Sequence, residues 1–204
     1  MNERSSAVAI SPGSTARMHV SSGLLATARG KTVAILLGSV FIALCAQLAV
    51  PLPWTPVPMT MQPFGVLLVG LLLGPWLGAA AMAAYLLEGV AGLPVFVPGF
   101  GGLLPLGPSA GYLLSYPLVA MLVGVLSGSS RGFLRSVTAA AMGDACILLC
   151  GAGWLAFLTH GTLSSVFHLA VLPFVAGDAV KVLLAAAIAS GWTRFHPVQS
   201  PAGV

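Results

Sequence analysis

Asp178 and Lys181 stand three residues apart in VLPFVAGDAVKVLL, Val171 to Leu184, a stretch with no other charge. On a helix that spacing puts both side chains on one face. Charge inside an apolar helix is costly at membrane depth and marks a site by default. Lys181 offers a cation to an anionic group, and Asp178 accepts hydrogen bonds from N–H donors. Gly177 leaves room for a ligand to approach the backbone, and Pro173 frees a backbone carbonyl nearby. The simpler alternative is a self-neutralising pair that only ties a helix bundle together.

Few other groups compete with this pair. The apolar segments hold only two more acidic residues, Glu88 and Asp144. Glu88, in YLLEGVAGLPVF, is either a pocket residue or an interfacial acid facing water. Asp144 fits a structural role better than a ligand role. Gln62, in PMTMQPF, opens a short, Pro-interrupted segment of the kind that points to a transport site. Tyr112 heads another apolar segment, where an aromatic-belt position is the plain alternative. His160 and His168 match no metal-ligand spacing, and Cys45, Cys146 and Cys150 read as packing residues. There is no Walker A, G-x-S-x-G or H-E-x-x-H motif, which argues against ATP binding by a P-loop and against hydrolase chemistry.

The elements that must position these residues are membrane helices. Of 204 residues 58% are hydrophobic and 6% charged, with mean hydropathy +1.02. A soluble domain carries about a quarter charged residues, so the chain is expected to be a polytopic membrane protein. Six spans are predicted, at 32–50, 64–73, 76–91, 111–126, 133–159 and 166–192. The second is short, and Gly74-Pro75 turns the chain between it and the third. Two irregular stretches, PLPWTPVPMTMQP and GLPVFVPGFGGLLPLGPSAG, cannot lie against lipid and must sit at a surface or cover a cavity. The organisation predicted is a disordered tail over 1–31, a membrane domain over 32–192 and a second tail over 193–204.

The basic residues orient this all-α bundle. Arg4, Arg17, Arg29, Lys31, Arg131, Arg135 and Arg194 all fall on one face of a six-span arrangement, and the opposite loops have no Lys or Arg. The positive-inside rule then places both termini in the cytoplasm. Trp54 and Trp154 fall at outer ends and Trp76 and Trp192 at inner ends, as interfacial anchors. The bases are too scattered for nucleic acid. With the sixth span running inward from Val166, Asp178 and Lys181 are expected about 15–25 Å below the outer interface. In the first span Ala34 and Gly38, then Ser39 and Ala43, place small residues at four-residue spacing. That pattern suits either packing inside the bundle or a partner-docking face.

Four stretches in order carry a family resemblance: VPMTMQPFGVLLVGLLLGPWLG, AYLLEGVAGLPVF, GPSAGYLLSYPL and LPFVAGDAVKVLLAA. Together they resemble BioY, the biotin-binding S component of energy-coupling factor (ECF) transporters, over about 33–189. The resemblance implies a six-helix bundle with a substrate cavity near the outer side. The first-to-second and third-to-fourth loops would close that cavity. It also implies that Asp178, Lys181 and Gln62 contact biotin, with Glu88 and Tyr112 as further pocket residues. Ala34 and Gly38 would form the docking face for the transmembrane coupling protein.

Biotin suits the residues. Lys181 can take its carboxylate, while Asp178 or Glu88 and the Gln62 amide match its ureido group. The function so implied is high-affinity biotin uptake across the bacterial cytoplasmic membrane. Two ABC ATPases and the coupling protein would supply the energy, and this chain would use no cofactor of its own. Alternatives are another vitamin as substrate, or biotin transport without dedicated ATPases. An intramembrane aspartyl enzyme using Asp144 and Asp178 is a more distant reading, because Lys181 would hold Asp178 ionised and spoil proton sharing.

Overall fold

The structure is a computed structural model that describes residues 27–97, 107–128 and 132–195, with the backbone alone at 193–195. Helix α1 is Ala28–Gln47, and a two-residue ladder follows, β1 (Ala49–Val50) against β2 (Met59–Thr60). Then come α2 (Gln62–Val90), α3 (Ala110–Ser127), α4 (Phe133–Thr159), α5 (Leu163–Ala170) and α6 (Leu172–Phe195). Five of these helices are long and apolar enough to cross a membrane.

α2 is a hairpin rather than a rod. Gly74 has φ 78°, ψ −175°, a conformation closed to most L residues but open to glycine, and Pro75 restarts the helix at its first turn. The arms fold back so closely that a Cβ on Gly78 would meet the Cα of Gly70 at 3.2 Å. The predicted turn between two spans is therefore present, and the chain makes six apolar passages. The first arm, 62–73, rises only about 18 Å.

Contacts along the helices sort the molecule into two ends. Gly124 packs on the Gly74-Pro75 turn, and Arg135 Nε donates to the Leu126 carbonyl at 2.9 Å. That end also carries Arg29 and Lys31 on the first turn of α1. The opposite end holds the β1–β2 ladder, the start of α3 beside Cys150 and Trp154, and α5. Trp154 Nε1 there donates to the Gly107 carbonyl at 2.9 Å. Trp76 is 77% exposed at the first end and Trp54 61% at the other, where interfacial anchors belong. Arg4, Arg17 and Arg131 lie outside the described residues.

Several expected boundaries move. α1 starts at Ala28, where the Thr27 hydroxyl accepts from the Gly30 N–H at 3.1 Å, so residues 28–31 are helix rather than tail. At the other terminus, α6 runs on to Phe195. The predicted sixth span is two helices, because Val171 leaves helical geometry (φ −124°, ψ −61°) one residue before α6. Pro173 is the cause: it suits a first helical turn, and having no N–H it cannot bond back to the Leu169 carbonyl, so one helix cannot run through. The rest of the expected tails lies outside the described residues.

The core is a layer of large side chains between helices, including Ile42, Leu67, Leu71, Met82, Tyr85 and Ile147, all fully buried. The outward faces are equally apolar, with Leu36, Leu37, Val40 and Leu44 exposed on α1. Such a surface needs hydrocarbon as its solvent. Here the expectation for Ala34 and Gly38 as a docking face is corrected. Both are buried, and a Cβ on Gly38 would lie 2.9 Å from that of Ala81. They let α1 close on α2, while α1 turns its large residues outward.

Candidate functional site

One cavity opens at the ladder end, with an empty volume of about 640 Å³ including its mouth. Its walls come from distant parts of the chain. Val57, Pro58, Thr60, Gln62 and Pro63 come from the ladder and the start of α2, and Phe96 and Val97 from the connection after it. Tyr112 and Tyr116 come from α3, Ile147 and Leu148 from α4, and Phe174, Asp178 and Lys181 from α6. Both irregular stretches thus contribute walls.

Asp178 and Lys181 form a buried ion pair, Nζ to Oδ1 2.7 Å, with side chains 3% and 7% exposed. Helical i,i+3 spacing presents the two heads side by side to the cavity. Because α6 begins at Leu172, they lie only about 9–14 Å along it. That is shallower than a span starting at Val166 implied. The pair is neutral as a unit, which lowers the cost of keeping it in an apolar wall.

Gln62 faces the cavity with its amide already partly engaged. Its Nε2 donates to the Tyr85 hydroxyl at 2.7 Å, and its Oε1 accepts from the Thr60 hydroxyl at 3.2 Å. One N–H and one lone pair of the carboxamide remain for a ligand. Tyr112 lines the cavity with its ring, while its hydroxyl donates to the Ala170 carbonyl at 2.6 Å. Its polar atom is thus spent on the break between α5 and α6.

Glu88 is not part of this site. It is half-buried, and its carboxylate accepts a hydrogen bond from the Ser39 hydroxyl on α1. Helical side chains lean toward their own N-terminus, which carries Glu88 down between α1 and α2, away from the mouth. Asp144 does not line the cavity either, although it is within electrostatic reach of Asp178 and Lys181. An Asp144–Asp178 dyad is not built, because Asp178 is bonded to Lys181 instead. Thr60, Tyr116 and Phe174 were not anticipated as lining residues. Only Thr60 had a usable signal, its place two residues before Gln62.

The mouth is tied down at one point. The Thr55 hydroxyl, between β1 and β2, donates to the Leu169 carbonyl at 2.7 Å. This links the first connection to α5 across the opening. Among the described residues no cluster of three or more His, Cys, Asp or Glu could hold a metal ion. The cavity therefore offers one neutral ion pair, one half-free amide and aromatic or aliphatic walls. Such a site suits a small, mostly apolar ligand with a planar donor–acceptor group.

Comparisons with known proteins agree on one family. The BioY family model matches residues 17–197. The chain is 38% identical over 163 residues to the probable biotin transporter BioY of Pyrococcus horikoshii, covering 78% of this chain and 95% of that one. It is 36% identical over 141 residues to the biotin transporter BioY of Thermotoga maritima, covering 69% and 83%. Its fold superposes with a TM-score of 0.72 on a crystal structure of the S component for biotin from an ECF-type ABC transporter. That match has 26% identity and covers 80% of this chain and 90% of the other.

Proposed function

Because this chain belongs to the BioY family, a family of transporter components rather than enzymes, we propose that it captures biotin in the cavity at its ladder end. It acts as the substrate-binding component of an ECF-type importer in the bacterial cytoplasmic membrane. The observation that carries this reading is the ion pair at the cavity wall. Asp178 and Lys181 present an acceptor and a donor 2.7 Å apart, and a ureido edge presents an N–H beside a carbonyl oxygen at similar spacing. Docking that edge on the pair satisfies four groups without separating the two charges. Lys181 therefore serves the ureido carbonyl in preference to the carboxylate first considered for it.

The aromatic and aliphatic walls from Phe96, Tyr116, Ile147 and Phe174 take the bicyclic body and alkyl chain, and the carboxylate points to the mouth. Transport energy comes from a transmembrane coupling protein and two ABC ATPases. The ladder end faces outward and both termini lie in the cytoplasm, since Arg29, Lys31 and Arg135 stand at the other end.

Calorimetric titration of the purified full chain with biotin tests the reading. Lys181→Ala or Asp178→Asn is expected to weaken binding at least about 100-fold, as for truncating one partner of a buried charge pair. Biotin methyl ester should bind within about tenfold of biotin, and an analogue lacking the ureido carbonyl far more weakly. Normal biotin binding by both variants would remove the assigned site.

A further inference from the structure

We propose that Tyr85, which does not line the cavity, is the positioning residue that aims Gln62 into it; this rests on the cavity being the biotin site. Tyr85 is fully buried on the second arm of the α2 hairpin, and Gln62 is the first residue of the first arm. Their 2.7 Å hydrogen bond closes the hairpin at the far end from Gly74. Rotating the Gln62 amide would break that bond, the shorter of its two side-chain links; the other, to Thr60, is 3.2 Å long. The phenol therefore holds the amide, together with Thr60, so that one N–H and one lone pair of Gln62 stay toward the cavity.

The same ring supports the facing wall. Tyr85 meets Phe96 edge to face, with centroids 5.2 Å apart and planes at 84°. Phe96 lines the cavity, and its ring occupies the place that a Cβ on Gly89 would take. One buried side chain thus fixes a polar contact through its hydroxyl and an apolar contact through its ring. Tyr85→Phe removes the first and keeps the second, so the two roles separate.

The experiment is biotin titration of the wild-type chain, Tyr85→Phe, Gln62→Ala and the double variant. In parallel, the ligand-free proteins are observed by side-chain amide NMR, with the Gln62 signals assigned by their loss in Gln62→Ala. Each single variant is expected to bind about tenfold more weakly, and the double variant no more weakly than Gln62→Ala alone. In Tyr85→Phe the ligand-free Gln62 amide signals should shift and exchange faster with water. A tyrosine that only filled space would move neither the amide signals nor the cycle. Unchanged Gln62 signals, or full additivity in the double variant, would overturn the proposal. If wild-type protein bound no biotin, the functional reading would fall, and the ligand-free spectra would still decide the role of Tyr85.

Discussion

Removing either charge of the Asp178–Lys181 pair leaves the other uncompensated in a wall where both side chains are over nine-tenths buried. Each of Asp178→Leu and Lys181→Met is expected to cost about 3–5 kcal/mol of stability. The double variant should recover most of that and still bind no biotin. Thermal melts and titration on the same three proteins check this, and a double variant as unstable as the singles would sink it. Asp144 is a different case. Among the described residues its Oδ1 is buried without a hydrogen-bond partner, and it stands off the cavity. Asp144→Leu should therefore leave biotin affinity within about threefold and raise the melting temperature, since a buried unsatisfied acceptor costs about 1–3 kcal/mol.

At this scale the ion pair was legible because charge in an apolar run needs a reason. Ala34, Gly38 and Glu88 were misplaced for the opposite cause. A helix apolar all round gives no internal sign of which face meets the bundle and which meets lipid. Tyr116 and Phe174 were hidden in the same way, as two aromatics among many.

The α2 hairpin joins a cavity residue to the residue that holds it. It supplies Gln62 and Tyr85, and its turn depends on one residue. Gly74→Ala places a Cβ at φ 78°, ψ −175° and should destabilise the protein by about 1–3 kcal/mol, read as a lower melting temperature. No neighbour lies within 4 Å of the new atom, so the cost is conformational rather than steric. A variant as stable as the parent would show that the turn tolerates another geometry. The turn could be foreseen from Gly-Pro between two apolar runs. The β1–β2 ladder could not, because two residues per strand carry no periodicity. The break at Val171 was also missed: the apolar pattern continues through it, and only Pro173 marks the new start.

For the molecule as a whole, orientation and cavity position are linked. Among the described residues Arg29, Lys31 and Arg135 stand at one end and the cavity opens at the other, so whatever fixes these bases fixes the side from which ligand enters. Single cysteines introduced at Trp54 and Arg135, in a variant lacking the native three, should react with a membrane-impermeant reagent from opposite sides of intact cells. Trp54→Cys should be the one labelled from outside. Labelling of Arg135→Cys from outside would reverse the orientation. Which end of the bundle carries the bases could be read before any coordinates, since charge counts per loop do not depend on side-chain placement.

The two arms of the hairpin differ in length. From Gly74 outward, one rises about 18 Å to Gln62 and the other about 24 Å to Val90. The shorter stops more than a turn below its neighbour, and the ladder with Val57 and Pro58 roofs the gap. The cavity is in that sense a deficit of helix, a space the chain declines to fill. Its depth is then set by the number of residues between Gly74 and Gln62 as well as by the side chains around it. Insertions or deletions in that one arm can rescale the chamber for a larger or smaller guest, while the Asp178–Lys181 pair and the lipid-facing shell stay as they are.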